Sequence, residues 1–149
     1  MAYTYRTLAD SDVPLLKNLL TVFGEAFGEP DTYQNAVPSE RYLRNLLGKQ
    51  HFIVLVALAG DAVVGGLVAY ELQKFEQERK EIYIYDLAVS AAHRRKGVAT
   101  SLMRELQRIA SERGAYVIFV QADQGDTPAI RLYESLGKRE DVHHFDIPV

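Results

Sequence analysis

Residues 82–89 are rich in aromatic and β-branched side chains, residues 98–113 carry Val98, Leu102, Leu106, Ile109 and Ala110 at helical spacing, and residues 115–122 return to a strand-like apolar run. Strand, helix, strand in that order is a crossover unit. Its two strands have to run parallel with a right-handed connection, and parallel strands are stable only in a sheet covered by helices. The flanking segments extend that frame. Tyr3 to Thr7 alternates like a first strand, Asp10-Ser11-Asp12 offers a helix cap, and Val13, Leu16, Leu20, Phe23 and Phe27 form one helical stripe that stops at Gly28-Glu29-Pro30-Asp31. After a polar segment reaching Pro38, Ser39 caps a short helix with Tyr42, Leu43, Leu46 and Leu47 on its apolar side, closed by Gly48. Phe52–Ala59 and Val63–Leu72, joined at Gly60-Asp61, read as an antiparallel hairpin. Thr127-Pro128 opens a further helix with Ile130, Tyr133 and Leu136 on one side and Gly137 at its end, and His143 to Ile147 is the expected last strand. The order β-α-α-β-β-β-α-β-α-β predicts an α/β fold, a mixed sheet flanked by about four helices.

At 149 residues the chain has the size of one domain, expected to span 1–149. Its 48% hydrophobic and 25% charged content is that of an ordered globular chain. The absence of cysteine rules out disulfides, thiolate metal sites and a Cys nucleophile. The histidines form no ligand-like spacing, so no metal is expected. A net charge of −3 gives nucleic-acid binding no support. No apolar run is long enough to span a bilayer, and Met1-Ala2-Tyr3-Thr4-Tyr5-Arg6 is unlike a signal peptide, so no membrane partner is expected and the cytoplasm is the expected compartment.

The stretch Asp86-Leu87-Ala88-Val89-Ser90-Ala91-Ala92-His93-Arg94-Arg95-Lys96-Gly97-Val98-Ala99-Thr100 joins the crossover's first strand to its helix. The first-turn N–H groups of a helix have no intrahelical acceptor, and the helix dipole adds partial positive charge there. Arg94, Arg95 and Lys96 add full charges, and Gly97 lets the backbone approach a ligand closely. Val98, Ala99 and Thr100 complete the helix start. The arrangement suits a pyrophosphate. It has neither the three glycines of the dinucleotide fingerprint nor the Gly-Lys-Ser/Thr of a Walker loop.

Arg94-x-x-Gly97-x-Ala99, following Leu87-Ala88-Val89, resembles the pyrophosphate loop of the GCN5-related N-acetyltransferases. Asp126-Thr127-Pro128-Ala129-Ile130-Arg131-Leu132-Tyr133-Glu134-Ser135-Leu136-Gly137 resembles that family's later motif, with Asp126 where Asn is usual and Lys138 where Phe often follows. The resemblance implies acetyl-coenzyme A as cofactor, bound between the strand ending at Val89 and strand 115–122. It implies that the family splays these strands and bulges the first one. The backbones of Leu87, Ala88 and Val89 would meet the pantetheine, with the Val89 N–H polarising the thioester carbonyl. Residues 94–100 would take the pyrophosphate, and Asp126, Ala129 and Tyr133 would lie along the cofactor, with Tyr133 protonating the leaving thiolate. An attacking ammonium must lose a proton. Asp86 is the first candidate base and Glu81 the alternative.

Acidic residues gather on the segments that would form the acceptor side: Glu25, Glu29 and Asp31 near the first helix's end, then Asp86, Asp123, Asp126 and Asp146. A convergent set of carboxylates calls for a cation, which points to a polyamine or an aminosugar. Phe75-Glu76-Gln77, Glu81 to Val89, Tyr116 to Asp123 and His144-Phe145-Asp146-Ile147 are similar to the type I aminoglycoside 3-N-acetyltransferases. That similarity implies acetylation of the 3-amino group of a gentamicin-type aminoglycoside by direct attack in a ternary complex, an antibiotic-resistance activity. A natural polyamine or a protein amine is the alternative acceptor. A homodimer is the assembly usual for the fold. Only twelve residues follow Gly137, which leaves little room for the usual final two-strand arrangement.

Overall fold

The computed structural model describes residues 2–149. A mixed five-stranded sheet has the order β1-β2-β3-β4-β5. The strands are β1 (Thr4–Thr7), β2 (Phe52–Ala59), β3 (Ala62–Gln73), β4 (Lys80–Val89) and β5 (Ala115–Val120). Neighbours from β1 to β4 are antiparallel, and β4 and β5 are parallel. The crossover unit has therefore formed as its sequence requires, through α4 (Val98–Arg113). The other helices are α1 (Val13–Phe27), α2 (Pro30–Tyr33), α3 (Glu40–Leu47) and α5 (Thr127–Leu136).

β2 shows why its sequence is apolar without interruption. Ile53, Leu55 and Ala57 point to one face and pack with α4, while Phe52, Val54 and Val56 point to the other and pack with α1 and α3. A strand covered on both sides has no polar face to alternate with. On the first side Val98, Leu102, Leu106 and Ile109 of α4 meet Leu67, Ile82 and Ile84, with Leu132, Tyr133 and Leu136 of α5 at the margin. On the second, α1 buries Leu16, Leu19, Val22 and Phe23. Leu19 rather than Leu20 carries the stripe, because a helical face runs through positions 16, 19 and 23 as readily as through 16, 20 and 23. Ser39 caps α3 as expected, its Oγ accepting from the Tyr42 N–H at 3.1 Å.

Gly66 of β3 sets how closely α1 approaches the sheet. A Cβ at this position would lie 2.5 Å from the Leu55 carbonyl oxygen and 2.6 Å from Leu19 Cδ1. We expect Gly66→Ala to cost about 1–3 kcal/mol through forced repacking, lowering Tm by roughly 3–10 °C. An unchanged melting curve would show that Leu19 and the Leu55 carbonyl both yield freely.

Two expectations need correction. The polar stretch after Gly28 contains a further single turn, α2, started by Pro30 in a position where its missing N–H costs nothing. The last strand, 143–147, does not form within this chain: residues 138–149 are exposed and belong to no ladder. A strand needs a neighbour's backbone groups, and alternation alone does not supply them.

Candidate active site

The parallel ladder between β4 and β5 ends at the Ile84–Val120 pair. Beyond it β4 continues to Val89, still paired with β3 through Asp86–Val68, Leu87–Leu67, Ala88–Gly66 and Val89–Gly65. The two parallel strands thus fork, and the edge of β4 from Tyr85 to Val89 has no partner on the β5 side.

A bulge lies at the root of the fork. Val68 pairs with Asp86 and the adjacent Ala69 with Ile84, so Tyr85 is the extra residue. One inserted residue reverses which face every later side chain occupies. Before it, Ile82 and Ile84 point toward α4; after it, Leu87 and Val89 point toward α4 and Ala88 points toward α1. Asp86 is thereby turned to the α1 face. Its Oδ2 there accepts a hydrogen bond from the Tyr33 hydroxyl at 3.0 Å. The Tyr33 ring is itself held by Phe23 and Phe27, with centroids 5.9 and 5.5 Å away. Burial pushes the Asp86 carboxyl up to about 6, and nearby Glu29 adds to the rise, while the Tyr33 bond opposes it. Burial, the Asp86 charge and the bond to it together raise the Tyr33 phenol above its ordinary range.

The loop after β4 turns through Ala91–His93 and is tied at two points. Arg94 Nε donates to the Val89 carbonyl at 3.1 Å, and the His93 ring bonds the Tyr3 hydroxyl at 2.9 Å. His93 is therefore half-buried. Arg95 is the one non-glycine residue with positive φ among the described residues, at 60°. Gly97 stands at the N-cap of α4 with φ 80°, and no side chain caps the helix there. A Cβ on Gly97 would meet nothing within 4 Å, so glycine is required by the backbone angle and the space before the helix is open. Arg95, Lys96 and Thr100 are exposed around it, Ala99 is half-buried and Val98 anchors the helix in the core.

Tyr133 of α5 packs at the margin of the α4-side core. Burial pushes its phenol up to about 12, with the charges of Asp126 and Asp86 acting in the same direction. It is protonated throughout the neutral range. Asp126 caps α5, accepting from the Ala129 N–H at 3.4 Å.

The structure joins Asp86 to Tyr33 by a hydrogen bond, while the charge of Glu29 acts on Asp86 and those of Asp126 and Asp86 act on Tyr133. Asp31 accepts from Asn35 at 2.6 Å, and Asp123 is exposed after β5. Glu25 lines a small cavity with Arg94, Val22 and Ser90. Asp146 sits on the exposed segment 138–149, bonded to His144 at 2.9 Å. Glu81 lies near the start of β4 and accepts from Tyr116 at 2.8 Å and Lys74 at 3.2 Å, which hold its carboxyl below the usual carboxylate range. Tyr33 carries no sequence signal beyond being an aromatic residue in a polar stretch. No group of His, Asp or Glu among the described residues has the arrangement of a metal site.

The chain is an α/β protein whose parallel strand pair forks beside an open, uncapped helix start. Within that class it belongs to the Acetyltransferase (GNAT) family, whose sequence pattern matches residues 16–138. It is similar, at 54% identity and TM-score 0.98, to an aminoglycoside acetyltransferase, HMB0005, from an uncultured soil metagenomic sample, over 100% of this chain and 99% of that one. It is also similar to the aminoglycoside acetyltransferase meta-AAC0020 from such a sample, in complex with sisomicin, at 32% identity and TM-score 0.91 over 99% of this chain and 96% of that one. A curated relative, N-acetyltransferase family 8 member 2 of Rattus norvegicus, is 30% identical over 90 residues, or 60% of this chain and 40% of that protein. The match thus spans less than half the length of that relative.

Proposed function

We propose that this chain transfers acetyl from acetyl-coenzyme A to the 3-amino group of a gentamicin-type aminoglycoside, by direct attack within a ternary complex in the cytoplasm. The observation that carries the reading is the bulge at Tyr85, which turns Asp86, a carboxyl raised by burial and by the Glu29 charge, to the α1 face at the root of the fork. A polyamine acceptor is matched by such a pair, because its cationic groups relieve the repulsion between the carboxylates. The similarity to two aminoglycoside acetyltransferases over nearly the whole chain supports the choice of aminosugar. No helix of the described residues is long and apolar enough to cross a membrane.

The residues present fit the carrier. The uncapped start of α4, open before Gly97, would hold the pyrophosphate with Arg95 and Lys96, and with Arg94 where its guanidinium is not engaged by Val89. The unpaired backbone edge at Leu87 and Val89, with Ala88 between them, would bond the pantetheine amides through the groups of Leu87 and Val89. Bound there, the carrier supplies an acetyl thioester. In this proposal the Val89 N–H stabilises charge developing on the acyl oxygen. Asp86 accepts the proton that the attacking ammonium must lose, Tyr133 Oη donates one to the departing sulfur as the carbon–sulfur bond breaks, and the second proton shed by the nitrogen as the amide forms restores the phenol. Asp126 keeps α5, and hence Tyr133, in register through its cap.

Coenzyme A release should be measured with gentamicin, kanamycin, spermidine and a lysine peptide, and the added acetyl located by mass spectrometry. Turnover with gentamicin, placing acetyl on the 3-amino group, is the expected result. Release with the peptide alone would refute the aminosugar assignment. The loop assignment has its own test. Gly97→Asp should raise the acetyl-coenzyme A Kd at least about tenfold in calorimetry, because a carboxylate would meet the phosphates at the positive end of α4. Gly97→Ala carries the strain of φ 80° without the charge, and should fall between the two.

A further inference from the structure

Ile84 points toward α4, so alternation sends the next side chain, Tyr85, to the α1 face. The extra residue then sends Asp86 to that face as well. Two successive side chains of β4 thus emerge side by side, an aromatic ring next to a carboxyl.

The ring stands in a row of others. Tyr70 of β3, packed against the α1-side core, lies 6.1 Å from Tyr85 between centroids, and Tyr83 lies 6.0 Å away. Both are nearly perpendicular to it, at 79° and 70°. These neighbours are themselves fixed, Tyr70 against Phe52 at 5.4 Å and Tyr83 stacked on Phe119 of β5 at 4.7 Å. Within the row Tyr85 alone is open, 62% exposed. Leu72 and Val117, which share this face with Tyr70 and Phe119 by alternation, are exposed too and extend the apolar surface. Burial raises the Tyr70 and Tyr83 phenols above their ordinary range, and the charge of Asp86 acts in the same direction on both. The row and the carboxyl therefore share one site. A contiguous apolar surface bordered by charge marks a place where something binds.

We propose that Tyr85 is a specificity residue for the acceptor: its ring stacks on the C–H face of a cyclic aminosugar held beside Asp86, and so favours such rings over a linear polyamine. The inference rests on the acceptor reading above and deepens it. An aminosugar ring presents a broad face of C–H groups with ammonium groups around its rim. The face removes apolar area of the phenol ring from water, and the cations are attracted to the aromatic face at short range. A linear polyamine carries the cations without the face, and reaches the carboxyls without a platform. Because Tyr70 and Tyr83 already hold Tyr85 in place, little side-chain freedom is left to lose on binding.

Gentamicin and spermidine should be titrated by calorimetry into the coenzyme A-bound enzyme, as wild type, Tyr85→Ala and Tyr85→Phe. Tyr85→Ala should weaken gentamicin about tenfold and spermidine by less than about twofold, while Tyr85→Phe, which keeps the ring, restores gentamicin binding to within about twofold of wild type. The ring is exposed, so the circular dichroism spectrum should not change. In steady-state turnover the loss should fall on the gentamicin KM and leave kcat in place. Equal weakening of both acceptors would make Tyr85 a prop for Asp86 and overturn the inference. Unchanged gentamicin affinity in Tyr85→Ala would overturn it too, as would a Phe variant as weak as the Ala variant, which would assign the hydroxyl. A wild type that binds spermidine and not gentamicin would overturn the acceptor reading together with this inference, and that outcome is visible before any variant is made.

Discussion

Tyr133→Phe should lower kcat by about 100-fold, the lower range for a positioned general acid, and leave the acetyl-coenzyme A Kd nearly unchanged. The substitution removes one oxygen and keeps the ring that packs beside the α4-side core. Burial pushes the phenol up to about 12, so it enters the reaction carrying its proton. That value makes it a weak acid in isolation. The same dry surroundings raise the basicity of a departing thiolate, since desolvation penalises every anion, and the transfer is helped accordingly. The expected signature is a loss confined to kcat, read by steady-state coenzyme A release alongside calorimetric binding. Equal kcat in the variant would leave the thiolate to depart unaided. A matching loss in acetyl-coenzyme A affinity would make Tyr133 a packing residue of the cleft wall.

The parts of this fold legible in the sequence are those in which one segment carries the whole signal. The crossover could be read because Ile82–Val89 is rich in aromatic and β-branched residues, and because a helix of α4's length shows its stripe. The Ser39 cap could be read because a hydroxyl followed by a helical stripe has few other uses. What stayed hidden is relational. A bulge in this strand is what the family resemblance implies, but its place at Tyr85 is a mismatch between β4 and β3 that no residue type announces. Consequently the face on which Asp86 emerges could not be deduced by counting along β4. Tyr33 finds Asp86 across 53 positions of sequence, which no local pattern records. Segment 143–147 has the alternation of a strand, and the sequence reading supplied a neighbour that this chain does not provide.

Asp86→Asn should separate activity from stability. As a base, Asp86 works only when ionised, and its carboxyl sits at about 6. Wild-type kcat/KM should therefore rise with pH through about 6 and level off above it, the limb belonging to this group. The Asn variant should lose at least about 100-fold and show no such limb. A limb that persists in the variant would assign the base elsewhere. Tyr33→Phe provides an internal check. It deletes the hydrogen bond that opposes the rise, so the limb should move to higher pH while the fold is kept. The stability effect has the opposite sign. An aspartate titrates near 3.9 when unfolded, below its folded value, so the native state holds the proton more tightly. Its contribution to stability therefore falls as pH rises from about 4 to about 6 and stays low at neutral pH. Asn cannot ionise, and should restore about 1 kcal/mol at pH 7 once the residue's partial contact with solvent is allowed for. Thermal unfolding at pH 4 and pH 7 reads this directly: the variant should gain on the wild type at pH 7 and not at pH 4. A variant less stable at pH 7 would mean that the Tyr33 bond outweighs the burial of the charge, and that Asp86 is held for structure.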